Sequence, residues 1–260
     1  MPATDLEFAL AEFKERTKQI REIMAVVESA GRNPTALATH RADIDLSQIS
    51  VSTGNTVNSM ALIFLASAFE EFVREEAIQC GNLLKDKYAG MIASDRHAIR
   101  DSYWLVARER LKFAKSILVN KSPDPVLLAN VGSALGALQS FVVTDDPSKL
   151  DSKTFGHHSN NFRPGIVAEI FKRFAVKDLM RQLGESTKLK DHFGVTTKFQ
   201  CSKKLVAKWD EFYDRRNETV HSLGGTKGFG VNAVISYIEF LELNAEALKG
   251  VLTKTLASWK

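Results

Sequence analysis

Cysteine is nearly absent: Cys80 and Cys201 are the two in 260 residues. Two cysteines build neither a disulfide framework nor a Cys-x-x-Cys metal pair, and a reducing, cytoplasmic setting is the expectation. Proline is sparse, at six residues. Stretches that alternate apolar and polar residues are scarce, so an architecture built on strands is not expected. Long apolar runs are missing as well. Residues 60–66 form the longest, and Glu70 and Glu71 follow soon after. Such a run is too short to span a bilayer and reads as a buried helix, so a membrane is not among the expected partners. The first residues carry Asp5 and Glu7 rather than a cationic leader, and no targeting segment is read there. Several catalytic signatures are lacking: no Gly-x-Ser-x-Gly elbow, no His-Glu-x-x-His and no dinucleotide fingerprint. Gly224 to Gly230 is glycine-rich but lacks the order of a phosphate loop, and reads as a helix stop and turn.

What is present is helical periodicity almost throughout. Thr4-Asp5-Leu6-Glu7 reads as a capping box. Leu6, Leu10, Phe13, Ile20, Met24 and Val27 then recur at helical spacing up to Gly31-Arg32-Asn33-Pro34. Residues 35 to 53 read as a loop. A second helix is expected from about Asn55 to Lys85 on Met60, Ile63, Phe64, Ala68, Phe69, Phe72, Val73 and Ile78. A third is expected from about Ser94 to Leu118, and a fourth after Pro125 as far as Phe141. Thr144 to Gly165 breaks the pattern and reads as an irregular insertion, a kind of segment that often carries function. Short helices are expected at 165–175, 177–183 and 187–193, and long ones at 201–223 and 232–258. The fold class expected is all-α, one helical domain over residues 1–260 with a mid-chain insertion.

Charge is unevenly spread. Residues 1–159 hold 18 Lys and Arg against 20 Asp and Glu, whereas residues 160–260 hold 17 against 11. Lys188, Lys190, Lys198, Lys203, Lys204 and Lys208 lead into Arg215 and Arg216. A basic stretch of this kind suits a polyanion, and Lys203, Lys204 and Lys208 are candidate RNA contacts. His157-His158, with Asp145, Asp146 and Asp151 nearby, matches no metal pattern. Neither a metal nor a cofactor is expected.

The chemistry concentrates in Arg215-Arg216-Asn217-Glu218-Thr219-Val220-His221. Arginine offers phosphate a rigid bidentate fork, and histidine moves protons near neutral pH. Asn217 and His221 are four apart and share one helical face. Arg216 and His221 are five apart, so at about 100° per residue they diverge by roughly 140°. A second copy of the helix is one way to make them converge.

The spacing Arg216-Asn217-x3-His221 resembles the Arg-x4-6-His signature of the HEPN superfamily. Phe69-Glu70-Glu71-Phe72 and Asn161-Phe162-Arg163-Pro164-Gly165 resemble its stand-alone RiboL-PSP-like or MAE-like subgroup. The likeness covers residues 61–84, 160–174 and 208–223, a minor part of the chain. It implies a helical bundle acting as a metal-independent endoribonuclease. In that reading Arg216 and His221 are catalytic, Asn217 assists, and Glu70, Glu71 and Arg215 support. The product would be a 2′,3′-cyclic phosphate. The resemblance also implies a homodimer with two motifs facing each other, and a toxin or defence role with an antitoxin or nucleotidyltransferase as regulatory partner. The competing reading is a helical module that binds RNA or protein without cutting.

Overall fold

The computed structural model describes residues 3–32, 51–111, 124–158, 160–221 and 230–259. The predicted glycine turn at Gly224-Gly225, the loop at 35–50, the end of the predicted third helix with Phe113, and Ser159 lie outside the described residues. Among the described residues every regular element is helical. The main helices are α1 (Ala3–Arg32), α2 (Val51–Lys87), α3 (Ala93–Leu111), α4 (Pro125–Ala137), α5 (Pro164–Lys172), α6 (Leu179–Leu183), α7 (Thr187–Phe193), α8 (Lys198–His221) and α9 (Val231–Ser258). A π-helical turn, Leu138–Val143, continues α4. The chain forms two compact units. One comprises Met1–Ala9, Val73–Leu183 and Leu248–Lys260; the other comprises Leu10–Phe72 and Gly184–Ala247.

The second unit carries the Arg-Asn-x3-His segment. In it α1 buries Leu10, Phe13, Ile20 and Met24, a spacing of three and four that keeps one stripe inward. Thr17 occupies a position in the same stripe and is fully buried. Its hydroxyl donates to Glu242 of α9. Arg21 clamps the same carboxylate with both terminal nitrogens, at 2.6 and 2.9 Å. Burial raises the Glu242 carboxyl, but the hydrogen bonds from Arg21 and Thr17 outweigh it and hold the group below its ordinary range. The apolar stripe of α8 (Cys201, Leu205, Trp209, Phe212, Tyr213) is buried. Trp209 meets Phe69 edge-on at 5.3 Å, and Phe69 meets Phe13 edge-on at 5.7 Å. Aromatic pairs favour this geometry.

The expected core of α2 needs correction. Met60 is 64% exposed and Phe64 47% exposed, whereas Leu62, Leu65 and Ala66 are buried beside Phe69 and Phe72.

In the first unit the segment expected to be an irregular insertion is packed into the core. Asp146 and Asp151 cap two short 3-10 turns by accepting from the Ser148 and Lys153 amides. Leu150, Phe155 and Phe162 are buried. Edge-on rings run Tyr88–Phe141–Tyr103–Phe155 at 5.2, 5.2 and 5.3 Å. Gly81 of α2 allows this close approach: a Cβ there would lie 3.0 Å from both Phe155 and Ser152. Arg173, itself 4% exposed, donates to the carbonyls of Phe155 and His157 at 2.5 and 2.9 Å. Asp145 sits at φ 58°, in the left-handed region. It is held there by Tyr88 Oη at 2.5 Å and Arg100 Nη1 at 2.8 Å, contacts that offset the backbone strain. Helix α4 has no charged residue, and Val126 and Leu135 are more than half exposed. By length and composition, Pro125–Val143 and Thr53–Gly90 are apolar enough to cross a membrane, a finding the 60–66 run did not anticipate.

Glu76 of α2 is fully buried, and neither carboxyl oxygen has a hydrogen-bond partner among the described residues. Burial raises it well above the carboxylate range; Lys249 opposes this, and Glu7 and Glu75 add to it. Folding thus favours the protonated acid. Its contribution to stability is complete below the unfolded pKa of about 4.3 and is lost as pH rises toward the raised folded value. Glu76→Gln is expected to remove that loss. Thermal midpoints of variant and wild type should agree at pH 4 and separate, the variant higher, by pH 8. Parallel midpoints across that range would exclude the carboxyl as the cause.

Candidate functional site

Helix α8 places the sequence-predicted residues on different faces. Taking about 100° per residue, Arg216 falls in line with the buried stripe of Trp209, Phe212 and Tyr213. Its side chain is therefore half-buried. Its Nη1 donates to Asn217 Oδ1 at 3.2 Å, while its Nε is buried without a hydrogen-bond partner among the described residues. An unmet buried donor of this kind costs about 1–3 kcal/mol. His221 ends α8 and is exposed. The structure thus brings Arg216 and Asn217 together and leaves His221 roughly 140° around the helix from Arg216.

The supporting candidates separate. Glu70 is half-buried and Glu71 exposed, both on α2. Arg215 is exposed, one position before Arg216 but turned toward α9. Lys203 is exposed. Lys204 Nζ donates to the Phe193 carbonyl at 2.9 Å, closing the end of α7. Lys208 is engaged: its Nζ lies 3.4 Å from Glu211 and 4.4 Å above the Tyr237 ring.

A cleft of about 290 Å³ opens between α8 and α9, lined by Lys208, Glu211, Arg215, Ala233, Ser236 and Tyr237. The sequence reading missed Glu211, Ser236 and Tyr237. Lys208, Glu211 and Arg215 are spaced i, i+3, i+7, and that period was the available signal; Tyr237 lies on another helix and gave none. Tyr237 is buried and donates its hydroxyl to Glu211 Oε1 at 2.6 Å. Burial raises the Glu211 carboxyl, but Tyr237 and Lys208 outweigh that and hold it below the ordinary range. Burial and the Glu211 carboxylate both push the Tyr237 phenol up. The cleft therefore presents one ionised carboxylate between two cations.

The histidine pair belongs to the other unit. His158 Nε2 is 3.8 Å from Glu169, and the His157 carbonyl accepts from Arg173. Burial lowers the His158 pKa more than Glu169 raises it. Among the described residues no group of three or more His, Cys, Asp or Glu is arranged to hold a metal. Both cysteines are buried. No protein-family model, no curated protein and no solved structure matches the chain.

Proposed function

We propose that the protein is a metal-independent endoribonuclease of HEPN type, acting through Arg216, Asn217 and His221. The observation that carries this reading is the state of Arg216. Its guanidinium lies at the end of a buried stripe, oriented on one side by Asn217, with Nε lacking a hydrogen-bond partner among the described residues. An oriented fork with donors left over suits the non-bridging oxygens of a phosphate. His221, exposed in the last turn of the same helix, is free to transfer the proton that leaves the 2′-hydroxyl. The 2′-oxygen attacks phosphorus, the P–O5′ bond breaks, and the 5′-oxygen takes up a proton. The products are a 2′,3′-cyclic phosphate and a 5′-hydroxyl.

The divergence of Arg216 and His221 calls for a second copy. In a twofold dimer through α8, each arginine is completed by the partner's histidine; twofold dimers are the commonest homo-oligomers. Light scattering should give a dimer at micromolar concentration, and a monomer that still cuts would remove this part of the proposal. Cleavage itself is tested with labelled RNA in excess EDTA, the new 3′ ends being analysed and a DNA of equal sequence serving as control. Cutting that appears only after metal is added, or cutting of the DNA, would defeat the reading. RNA binding without cutting would favour a non-catalytic module. Whether an antitoxin or nucleotidyltransferase controls the activity is tested by co-purification with the products of adjacent genes.

RNA affinity is expected to fall linearly in log–log form with salt, because phosphate contacts release counterions. Lys203→Glu with Lys204→Glu should weaken binding to every sequence alike and flatten the salt slope. Fluorescence anisotropy over a salt series checks this. An unchanged slope places the binding face elsewhere.

A further inference from the structure

Helix α4 and the π turn that continues it form a stretch, Pro125–Val143, without one charged side chain. Such a stretch ordinarily belongs either to the centre of a soluble core or to a leader at the amino terminus. This one lies mid-chain, and 22% of its apolar length is buried. The buried residues are Ala134, Ala137, Leu138 and Phe141, all in the second half. That half is anchored to the first unit, because Phe141 meets the rings of Tyr88 and Tyr103 edge-on. From Pro125 to Ser133 no residue is buried. Val126 is 66% exposed, and further on Leu135 is 53% exposed. Apolar surface of this extent left in water marks a place where something else covers it.

The pattern of side chains says what the cover is. At about 100° per residue, Leu127, Leu128, Val131 and Leu135 fall within about 100° of one another, and Asn130 and Ser133 lie roughly opposite. A helix held by one end and apolar along one side can lie in the plane of a bilayer surface, immersed by about 5–10 Å. The neighbouring helix supports that placement. Tyr103 of α3 packs against Phe141, and the next residue, Trp104, is 46% exposed. An indole, apolar in body with one polar N–H, favours the boundary between acyl chains and headgroups. Arg108, four residues on, shares the face of Trp104. Its side chain is 58% exposed and touches Glu109 at 3.8 Å, an exposed pair that solvent screens. In sequence, residues 108–123, which lead into α4, hold five Lys and Arg against one Asp or Glu. Cations beside an uncharged helix match anionic headgroups above hydrocarbon.

We propose that α4, with the exposed face of α3 that carries Trp104, is a docking surface for an anionic lipid bilayer. Helix α4 lies along the membrane with Leu127, Leu128, Val131 and Leu135 among the acyl chains. Trp104 sits at their edge, and the basic charge adds attraction to the headgroups. The helix does not span, because Ala134, Ala137, Leu138 and Phe141 stay in the core of the first unit. A membrane thus replaces the sequence expectation of none, and nothing in this depends on the ribonuclease reading.

The test mixes the full chain with vesicles of phosphatidylcholine, with and without phosphatidylserine, and separates bound from free protein by flotation. Binding to the anionic vesicles is expected to be at least about tenfold tighter than to the neutral ones. Vesicles with brominated acyl chains should quench tryptophan fluorescence. Trp104→Phe should remove that quenching, since Trp209 and Trp259 are buried. Leu128→Glu with Leu135→Glu is expected to weaken binding at least about tenfold. The thermal midpoint should stay unchanged, because both side chains are exposed. No flotation with anionic vesicles, equal binding to neutral ones, quenching that survives Trp104→Phe, or binding untouched by the double substitution would each overturn the proposal. So would a lipid-free wild type that sediments as a larger oligomer than the double variant, since a second copy would then be the cover.

Discussion

His221→Ala is expected to lower the RNA cleavage rate by about 10²–10⁴, the contribution of a positioned general acid or base, with the thermal midpoint unchanged. The side chain is exposed at the end of α8, so its removal leaves no cavity. Arg216→Ala should be at least as severe for catalysis. Arg216→Lys should recover little, because a point charge cannot reproduce a fork held on one side by Asn217 Oδ1 at 3.2 Å. It also leaves a shorter group where Nε is buried. Asn217→Ala should reduce the rate less than either. Single-turnover kinetics on one labelled substrate, with circular dichroism on each variant, separate a catalytic loss from a folding loss. Wild-type cutting by His221→Ala would remove the histidine from the mechanism.

Trp209→Ala carries the largest expected stability effect. The indole is fully buried on α8 and meets Phe69 of α2 edge-on, and Phe69 in turn meets Phe13 of α1. Emptying such a site costs about 3–5 kcal/mol, transfer and cavity contributions together. The urea midpoint should fall accordingly, and Trp209→Phe should recover much of it, since a ring still fills part of the space. The same loosening should reach the end of the helix that carries Arg216. Trp209 lies on the stripe that Arg216 continues, so residual folded Trp209→Ala should cut RNA more slowly than wild type. A loss of unfolding free energy of less than about 1 kcal/mol would mean that the surrounding rings collapse onto the vacancy.

Helix identity was legible because long segments with a period of three and four leave little choice. The short helices at 164–172, 179–183 and 187–193 and the long ones at 198–221 and 231–258 fall close to their expected limits. Which face turns inward was legible only where polar residues mark the outer side. In α1 they do. Around residues 60–66 nearly every residue is apolar, the period vanishes, and Met60 and Phe64 were assigned inward although they are exposed. The burial of the mid-chain segment had no local signal: Asp146 and Asp151 cap short turns that deliver Leu150, Phe155 and Phe162 to a core made with distant residues such as Gly81. Of the candidate site, Arg216, Asn217 and His221 stood out as a local string. The Glu211–Tyr237 contact joins two helices separated by a turn, and no local pattern announces it.

The way the two units are threaded has a consequence for synthesis. α1 and α2 each divide between the units, and α9 does so as well: residues up to Ala247 belong to one and Leu248 onward to the other. A chain leaving the ribosome amino end first can therefore complete neither unit until α9 has emerged. Through most of translation the inward stripes of α1 and α2 stand open to water and to other nascent chains. Closure comes late, through contacts of long sequence separation, which are slow to form. Exposed apolar stripes of this kind make a waiting chain prone to aggregate. A ribosome-stalled chain ending before Val231 should be digested by protease throughout its length, and one extended past Ser258 and clear of the exit tunnel should become resistant in both units together.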